Sequence, residues 1–444
     1  MPKKTLTKKS SPKKNKVKRQ KRVLFQSPKG MRDILPIDQP WWEKIRKASQ
    51  DVADSYGFLR IDTPILEEAE IFERGVGEGT DIVEKQMFIV RTKGKDRLAL
   101  RPEGTAGIMR SYFQNGLSRL SQPLKLFYIG PMFRYEKPQS GRYRQLHQVG
   151  FEVLGGMEDP VYDAQVVMAT LRLVESMKIK NLVVKINSIG CGKCRNVFRR
   201  NLQSYYRRQK GICKDCQKRL SVNPLRLLDC KNEKCQEIKL GSPSIMDYLC
   251  QPCRGHFRSV LEYLDETGIN YMPDPYLVRG LDYYNKTVFE IFSEGNENAL
   301  AGGGRYDYLA EMLGAKKGSL SAVGSSLGIE RLVEAMKDQG IDGLNLPKAK
   351  IFLVQIGKPA KKKGFNLVEE FRRSGMKISE SLGKESLNAQ LKVADKEKVS
   401  IALILGQREV FEETIIIRDM KTGIQETVPI AKATEEVKKK LKNN

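Results

Sequence analysis

Three arginines stand in segments built to hold them. Arg134 lies in Phe133-Arg-Tyr-Glu136, Arg279 opens Arg279-Gly-Leu-Asp-Tyr-Tyr284, and Arg331 closes Gly324-Ser-Ser-Leu-Gly-Ile-Glu-Arg331. A guanidinium is planar, stays charged when partly buried and grips phosphate or carboxylate oxygens through paired hydrogen bonds. Taken singly, each is better explained by an ordinary surface ion pair; the surrounding segments shift the reading to anion binding. No G-x-x-x-x-G-K-[ST] run occurs, so a nucleotide bound here meets side-chain cations rather than a glycine-rich cradle. With only His147 and His256 in the chain, mechanisms needing a histidine base or a histidine-rich metal site are disfavoured. His147 reads as a packed or hydrogen-bonded strand residue.

The eight cysteines are the second chemical feature. Cys191/Cys194, Cys213/Cys216 and Cys250/Cys253 are C-x-x-C pairs, and Cys230/Cys235 has four residues between. Repeated C-x-x-C in a reducing compartment reads as tetrahedral zinc rather than disulfide. Reduced structural thiols are the alternative. Spacing does not say which pairs share an ion, and His256 is a candidate to replace one sulfur.

These residues need elements to position them. Trp41, Ile45, Ala48, Val52 and Tyr56 recur at helical spacing, with Pro40 suited to the first turn and Gly57 ending the helix. Phe58 to Leu66 reads as a strand interrupted by Pro64, at an edge or junction. Residues 124–133 and 143–154 form two strand-like runs joined by a polar, basic connection, which predicts an antiparallel hairpin with a long loop. Residues 161–177 read as helix, and 280–292 and 299–334 as strand, glycine turn and helix. After residue 350 strands and helices alternate, which predicts a compact α/β domain.

Composition divides the chain further. Its 444 residues carry 79 Lys and Arg against 53 Asp and Glu, a net charge of +26 that points to a polyanionic partner. Residues 1–22 hold eleven basic residues and no acid, so +15 remains on the body. That tail is too poor in apolar residues to build a core and is expected to be disordered. The longest apolar run, Ile401 to Leu405, is far short of the ~20 residues of a membrane helix. No secretory signal is evident, and a cytoplasmic, soluble protein with no membrane partner is expected. The resulting division is 1–22 basic tail, 23–186 first part of a catalytic core, 187–260 cysteine-rich insertion, 261–340 second part of the core, and 350–444 C-terminal domain.

The hairpin from Phe133 through Gln139-Ser-Gly-Arg142 and Gln145-Leu-His-Gln148 to Glu152 resembles motif 2 of class II aminoacyl-tRNA synthetases. Gly57 to Pro64 with its preceding helix resembles motif 1, and Gly324 to Arg331 resembles motif 3. Leu277-Val-Arg-Gly-Leu-Asp-Tyr-Tyr284, Ala301-Gly-Gly-Gly-Arg-Tyr-Asp307 and Leu100-Arg-Pro-Glu-Gly-Thr105 narrow the resemblance to the histidyl-tRNA synthetase family.

The resemblance implies an α+β catalytic domain with an antiparallel sheet flanked by helices, a mostly helical cysteine-rich insertion and a C-terminal α/β anticodon-binding domain. It implies a homodimer formed through motif 1. The substrates would be L-histidine, ATP with Mg2+, and tRNA(His). Glu103, Gly104 and Thr105 would hold the α-ammonium end of histidine, Gln148 and Glu152 would line its pocket, and Tyr283 and Tyr284 would border the imidazole. Arg134 and Arg279 would grip the α-phosphate and carboxylate, and Arg331 the far phosphate. Glu136 and Arg142 would reach the nucleotide, and Gln139 with Arg142 the acceptor end of tRNA. Leu146 departs from the family pattern by standing where an aromatic residue stacks on adenine.

A carboxylate is already anionic at neutral pH, so its attack on the α-phosphorus needs no general base. Catalysis then rests on positioning and charge neutralisation. A catalytically inactive synthetase-like regulatory subunit and a tRNA-sensing module are the competing readings. Retention of the C-terminal domain and of the motif residues counts against the first, and the absence of room for a kinase domain against the second.

Overall fold

The computed structural model describes residues 25–77, 80–136, 143–295, 298–318, 320–345 and 348–443. Residues 1–22, Gln139 and Arg142 lie outside the described residues. The chain forms two units, residues 1–344 and 345–444.

The first unit is organised on an eight-stranded sheet. In spatial order its strands are Leu59–Arg60, Leu124–Phe133, Gln145–Leu154, Ala322–Gly328, Ala301–Arg305, Asn285–Ser293, Leu182–Ser188 and Tyr271–Pro273. The six central strands pair antiparallel. Each outermost strand, however, runs parallel to its neighbour, so the expected antiparallel sheet is mixed at its edges. Parallel partners need long crossovers. Here helices and the hairpin sheet lie between Arg60 and Leu124, and the whole insertion lies between Ser188 and Tyr271.

Alternation along the strands decides what each face does. Phe127, Val149, Phe151, Val153, Phe289, Ile291, Val323 and Leu327 point to one face, into a core closed by helices Gln39–Tyr56, Pro160–Ser176, Gln251–Glu266 and Ile329–Asp338. Tyr128, Gln148, Glu152, Glu290 and Gly324 occupy the alternate positions. A slip of one residue in any strand would drive polar groups into that core.

The first helix ends as expected at Gly57, whose φ of 71° lies in the left-handed region. Of the expected stripe Ile45 and Val52 are buried, but Trp42, Ser49 and Ala53 are buried in place of Trp41, Ala48 and Tyr56. Trp42 is buried among the core residues, while Trp41 is half-buried and donates its indole N–H to the Ile341 carbonyl at 2.8 Å. An indole edge near solvent is best kept where its donor finds a carbonyl. The expected strand from Phe58 to Leu66 is broken into Leu59–Arg60 and Leu66–Glu68, the latter in a separate three-stranded sheet.

Residues 192–266 form four helices, Gly192–Arg207, Lys214–Val222, Glu233–Leu240 and Gln251–Glu266, with short 3-10 turns. The insertion has a core of its own: Phe198, Leu202, Tyr206, Leu227, Leu228 and Ile245 pack with buried cysteines.

The second unit has a five-stranded sheet ordered Ile378–Glu380, Ile351–Gln355, Ile401–Leu405, Thr414–Asp419 and Gln425–Pro429. The first three strands are parallel and the last two antiparallel. Ile351–Gln355 and Ile401–Leu405 are buried on both faces, as the apolar runs Ile351 to Val354 and Ile401 to Leu405 require. Ser386 caps helix Leu387–Glu397 by accepting from the Ala389 N–H at 3.3 Å.

Candidate active site

Strand register assembles the site. Glu152 lies opposite Leu126 on one side and Gly324 on the other, Gln148 pairs with Gly130 and Gly328, and Gly302 pairs with Glu290 and Ser326. Helix Thr105–Gln114 and the irregular segment before Asn285 stand over this floor. Between them is a cleft of about 950 Å³ lined by Glu103, Thr105, Arg134, Glu136, Gln148, Arg279, Tyr283, Tyr284 and Arg331. Ten positions expected at the site meet here if Gly104 is left aside and Glu152 is added through its bond to Thr105. Gly104 precedes the helix as its N-cap.

Glu152 is a strongly perturbed carboxyl of the site. It accepts from Thr105 Oγ1 at 2.8 Å and from the Tyr306 hydroxyl at 2.5 Å. Burial nonetheless pushes its pKa up to about 8, because two neutral donors do not replace lost hydration. Glu103 is buried at the start of the same helix, accepting from the backbone N–H groups of Thr105 at 2.6 Å and Ala106 at 2.9 Å. Burial raises its pKa too, and those N–H groups and Arg134 oppose the shift. Gln148 is buried with its Oε1 unpartnered among the described residues. Such an acceptor costs stability unless something pairs with it.

The arginines are fixed by different means. Arg279 is paired with Glu290, and its guanidinium lies 5.7 Å from the Tyr284 ring centre. Burial works against its charge, but Glu290 and the neighbouring phenols outweigh it and raise its pKa. Its Nε has no partner among the described residues. A Cβ at Gly302 would overlap this guanidinium, so only glycine leaves Arg279 its path across the strand. Arg134 donates from Nε to the Pro102 carbonyl at 2.8 Å, and Arg331 from Nη1 to the Ala299 carbonyl at 2.7 Å. Residues 280–284 are not strand as expected; the strand begins at Asn285, which leaves Arg279 to Tyr284 free to fold over the floor.

Several contributors carry no signal that spacing alone reveals. Glu290 sits on a strand whose face is set only by register. Tyr128 lies in an apolar run, and Tyr306 stands between Arg305 and Asp307, whose charges dominate that segment. Arg305 is fully buried against Asp163 and Asp307 and supports the fold rather than the cleft. His147 donates its N–H to Glu330 at 2.9 Å, and its Nδ1 lies 2.8 Å from Glu330 Oε1, with Trp42 packed edge-on at 4.9 Å. It is a hydrogen-bonded structural residue.

The cysteines meet in two groups, Cys191 with Cys194, Cys250 and Cys253, and Cys213 with Cys216, Cys230 and Cys235; within each, all sulfurs lie within 4.8 Å of one another. His256 belongs to neither: its Nε2 lies 3.7 Å from Asp163 Oδ2, in the core behind the sheet.

A second, larger groove of about 1810 Å³ shares Arg134, Glu136, Glu290 and Arg331 with the cleft. It runs along Arg219, Arg226, Lys231 and Asn232 of the insertion.

A mixed sheet with an antiparallel centre, carrying motif arginines and buried carboxyls on the face opposite its four core helices, defines a class II aminoacyl-tRNA synthetase catalytic domain, and a separate anticodon-binding domain follows it. Within that class, the model of the histidyl-tRNA synthetase family matches residues 30–199 and 243–332, and that of an anticodon binding domain matches residues 350–440. The chain belongs to the histidyl-tRNA synthetase family. It is 43% identical over 425 residues to a histidine–tRNA ligase of Desulfitobacterium hafniense, covering 95% of this chain and all of that one. A Dehalococcoides mccartyi histidine–tRNA ligase is 42% identical over 421 residues, 94% of this chain and all of that one. The crystal structure of apo histidyl-tRNA synthetase from S. aureus superposes with a TM-score of 0.74 at 32% identity, covering 93% of this chain and 99% of that one.

Proposed function

We propose that this chain is a histidine–tRNA ligase that activates L-histidine with ATP, releasing pyrophosphate, and then transfers the histidyl group to the 3′ end of tRNA(His). The observation that carries this reading is the shared cleft: buried polar groups fit for an amino acid lie beside arginines fit for phosphates. Near-full-length similarity to histidine–tRNA ligases supports it over a regulatory subunit.

In this reading the imidazole lies between Glu152, Gln148 and the Tyr283–Tyr284 pair. An analogue that cannot hydrogen-bond would leave Gln148 Oε1 unpartnered, which is the physical basis of rejecting it. Glu103 and Thr105, at the helix start with Gly104, face the α-ammonium. Arg279 and Arg134 neutralise the carboxylate and α-phosphate, while Glu136 and Arg331 meet the rest of ATP, which enters as its magnesium complex. The carboxylate oxygen attacks the α-phosphorus in line, and the P–O bond to pyrophosphate breaks. The arginines hold both anions in reach and lower the cost of the charge that builds up.

The acceptor end would approach along the groove between cleft and insertion, where Arg134, Arg219, Arg226, Lys231 and Arg331 lie, with Gln139 and Arg142 contacting it, and the C-terminal domain would read the anticodon. No helix among the described residues is long and apolar enough to cross a membrane, and we place the enzyme in the cytoplasm. Leu59, Ile65, Leu66 and Phe113 are exposed around the motif 1 edge. They suit a homodimer interface, which the mass of the native protein in solution tests.

Pyrophosphate exchange with each of the twenty amino acids tests the activity. Histidine alone should support exchange; exchange with another amino acid, or with none, overturns the reading.

A further inference from the structure

We propose that the insertion holds two zinc ions, one bound by Cys191, Cys194, Cys250 and Cys253 and the other by Cys213, Cys216, Cys230 and Cys235, and that the two do different work.

Geometry is the first argument. Zinc–sulfur bonds of about 2.3 Å set tetrahedral sulfur–sulfur edges of about 3.8 Å. The Sγ atoms of Cys191 and Cys194 are 3.6 Å apart, Cys191 and Cys250 3.9 Å, and Cys213 and Cys230 3.7 Å. All eight are free cysteines, and residues 17 and 59 apart in sequence have been brought to the edge length of a single ion.

The backbone is arranged for anionic sulfur. Cys191, Cys213 and Cys250 each stand immediately before a helix, with Cys194, Cys216 and Cys253 in its first turn, and Cys235 lies in the first turn of Glu233–Leu240. The positive ends of four helices thus converge on the two groups. The Cys250 N–H donates to Cys194 Sγ at 3.2 Å and the Cys213 N–H to Cys235 Sγ at 3.3 Å. Each tetrathiolate site carries a net charge of −2. Residues 191–253 contain fourteen Lys and Arg against five Asp and Glu, which offsets both. Five of the twelve buried residues in the insertion's core are cysteines, so metal bonds would add to the apolar packing of a small segment.

The groups differ in position. The first ties the entry of the insertion to its exit. Next to it, Lys286 donates its N–H to the Gly190 carbonyl at 3.0 Å, and Arg195 Nη1 donates to the Tyr284 carbonyl at 2.9 Å. Gly190, at φ +64°, leaves no room for a Cβ beside Cys194. This root therefore touches the backbone of a cleft residue. The second group lies wholly between the two ranges matched by the family model. Its lobe docks through Arg219 and Arg226 on Asp81, at 3.1 and 2.9 Å, and through Asn223 on Asp282 at 2.6 Å. The first ion supports the cleft; the second shapes the groove wall. That division rests on the ligase reading, whereas the metal content does not.

The test uses the full chain, produced with zinc in the medium and purified without chelator. Elemental analysis should give two zinc per chain, and Cys253→Ser and Cys216→Ser should each lose one. Cobalt(II) exchange should give thiolate-to-cobalt charge-transfer and tetrahedral d–d bands, halved in either variant. In pyrophosphate exchange, C253S should raise the KM for histidine severalfold. C216S should leave exchange unchanged and lower aminoacylation. One ion or none in the wild-type protein, iron in place of zinc, or eight freely titrating thiols in the native state overturns the assignment without any variant. Equal effects of C216S and C253S on exchange would overturn the division of labour.

Discussion

The Thr105 hydroxyl lies 2.8 Å from Glu152 Oε1, joining the first turn of a helix to the C-terminal half of a strand 47 residues away. With the Tyr306 hydroxyl on the other oxygen, it orients the carboxyl without neutralising it. Orientation and ionisation are thereby separated, and that has a measurable consequence.

Glu152 has a folded pKa of about 8 against an ordinary 4.5. A raised carboxyl pKa favours folding while the group stays protonated. That contribution is complete below the ordinary value and is lost as pH rises through the folded one. The Glu152→Gln variant is nearly isosteric and cannot ionise: its carbonyl oxygen accepts from one of the two hydroxyls and its amide N–H donates to the other. Its stability relative to wild type should therefore climb between pH 4.5 and 8 and level off above, a change on the order of a few kcal/mol. Thermal or urea melts across that range measure it, and a flat difference would mean Glu152 titrates normally.

Arg279→Ala should cut adenylate formation by about 10²–10³-fold, the typical loss when one preorganised charge-stabilising group is removed. The fold should survive, because Glu290, though paired with Arg279, keeps partial contact with solvent. Pyrophosphate exchange alongside a thermal melt checks both halves. Retention of more than about a third of wild-type exchange would refute the role.

Gly302→Ala should act through Arg279. The added Cβ collides with the guanidinium, which must leave its place over the strand. Exchange should fall about tenfold or more, since small displacements of a positioning group are costly. Gly255→Ala is the control: nothing lies within 4 Å of its added Cβ, and it sits inside helix Gln251–Glu266. That change should leave exchange intact and stabilise slightly. Similar losses in both variants would show that Gly302 is not special.

Residues 1–22, with eleven basic residues and no acid, should bind RNA through counterion release. Deleting them should weaken tRNA binding at low salt and flatten the dependence of log K on log salt, leaving histidine activation unchanged. Binding isotherms at several salt concentrations decide it; identical slopes would leave the segment without a role in RNA binding.

Local physics made much of the protein readable. The strands Leu124–Phe133 and Gln145–Leu154 follow from their apolar, aromatic and β-branched content. The helix ending at Gly57 follows from its spacing and from glycine's tolerance of positive φ, and the C-terminal strands from unbroken runs such as Ile401–Leu405. C-x-x-C pairs announce neighbouring sulfurs because three residues of helix start bring two cysteines together. Arg134, Arg279 and Arg331 were identifiable from the short segments around them. Interactions between distant residues were not. Register between strands chose the face that carries Glu290 and so gave Arg279 its counter-charge. It also set Gly302 beneath that arginine. Packing against Pro160–Ser176 and Ile329–Asp338 decided that Trp42 rather than Trp41 is buried. Bringing Cys191 to Cys250 and Cys213 to Cys230 required the whole insertion to close. The amino-acid order determines short-range geometry because only a few dihedral angles separate the residues involved. Where chain segments far apart must meet, the pairing is decided by the burial of all their surfaces together, which no local pattern encodes.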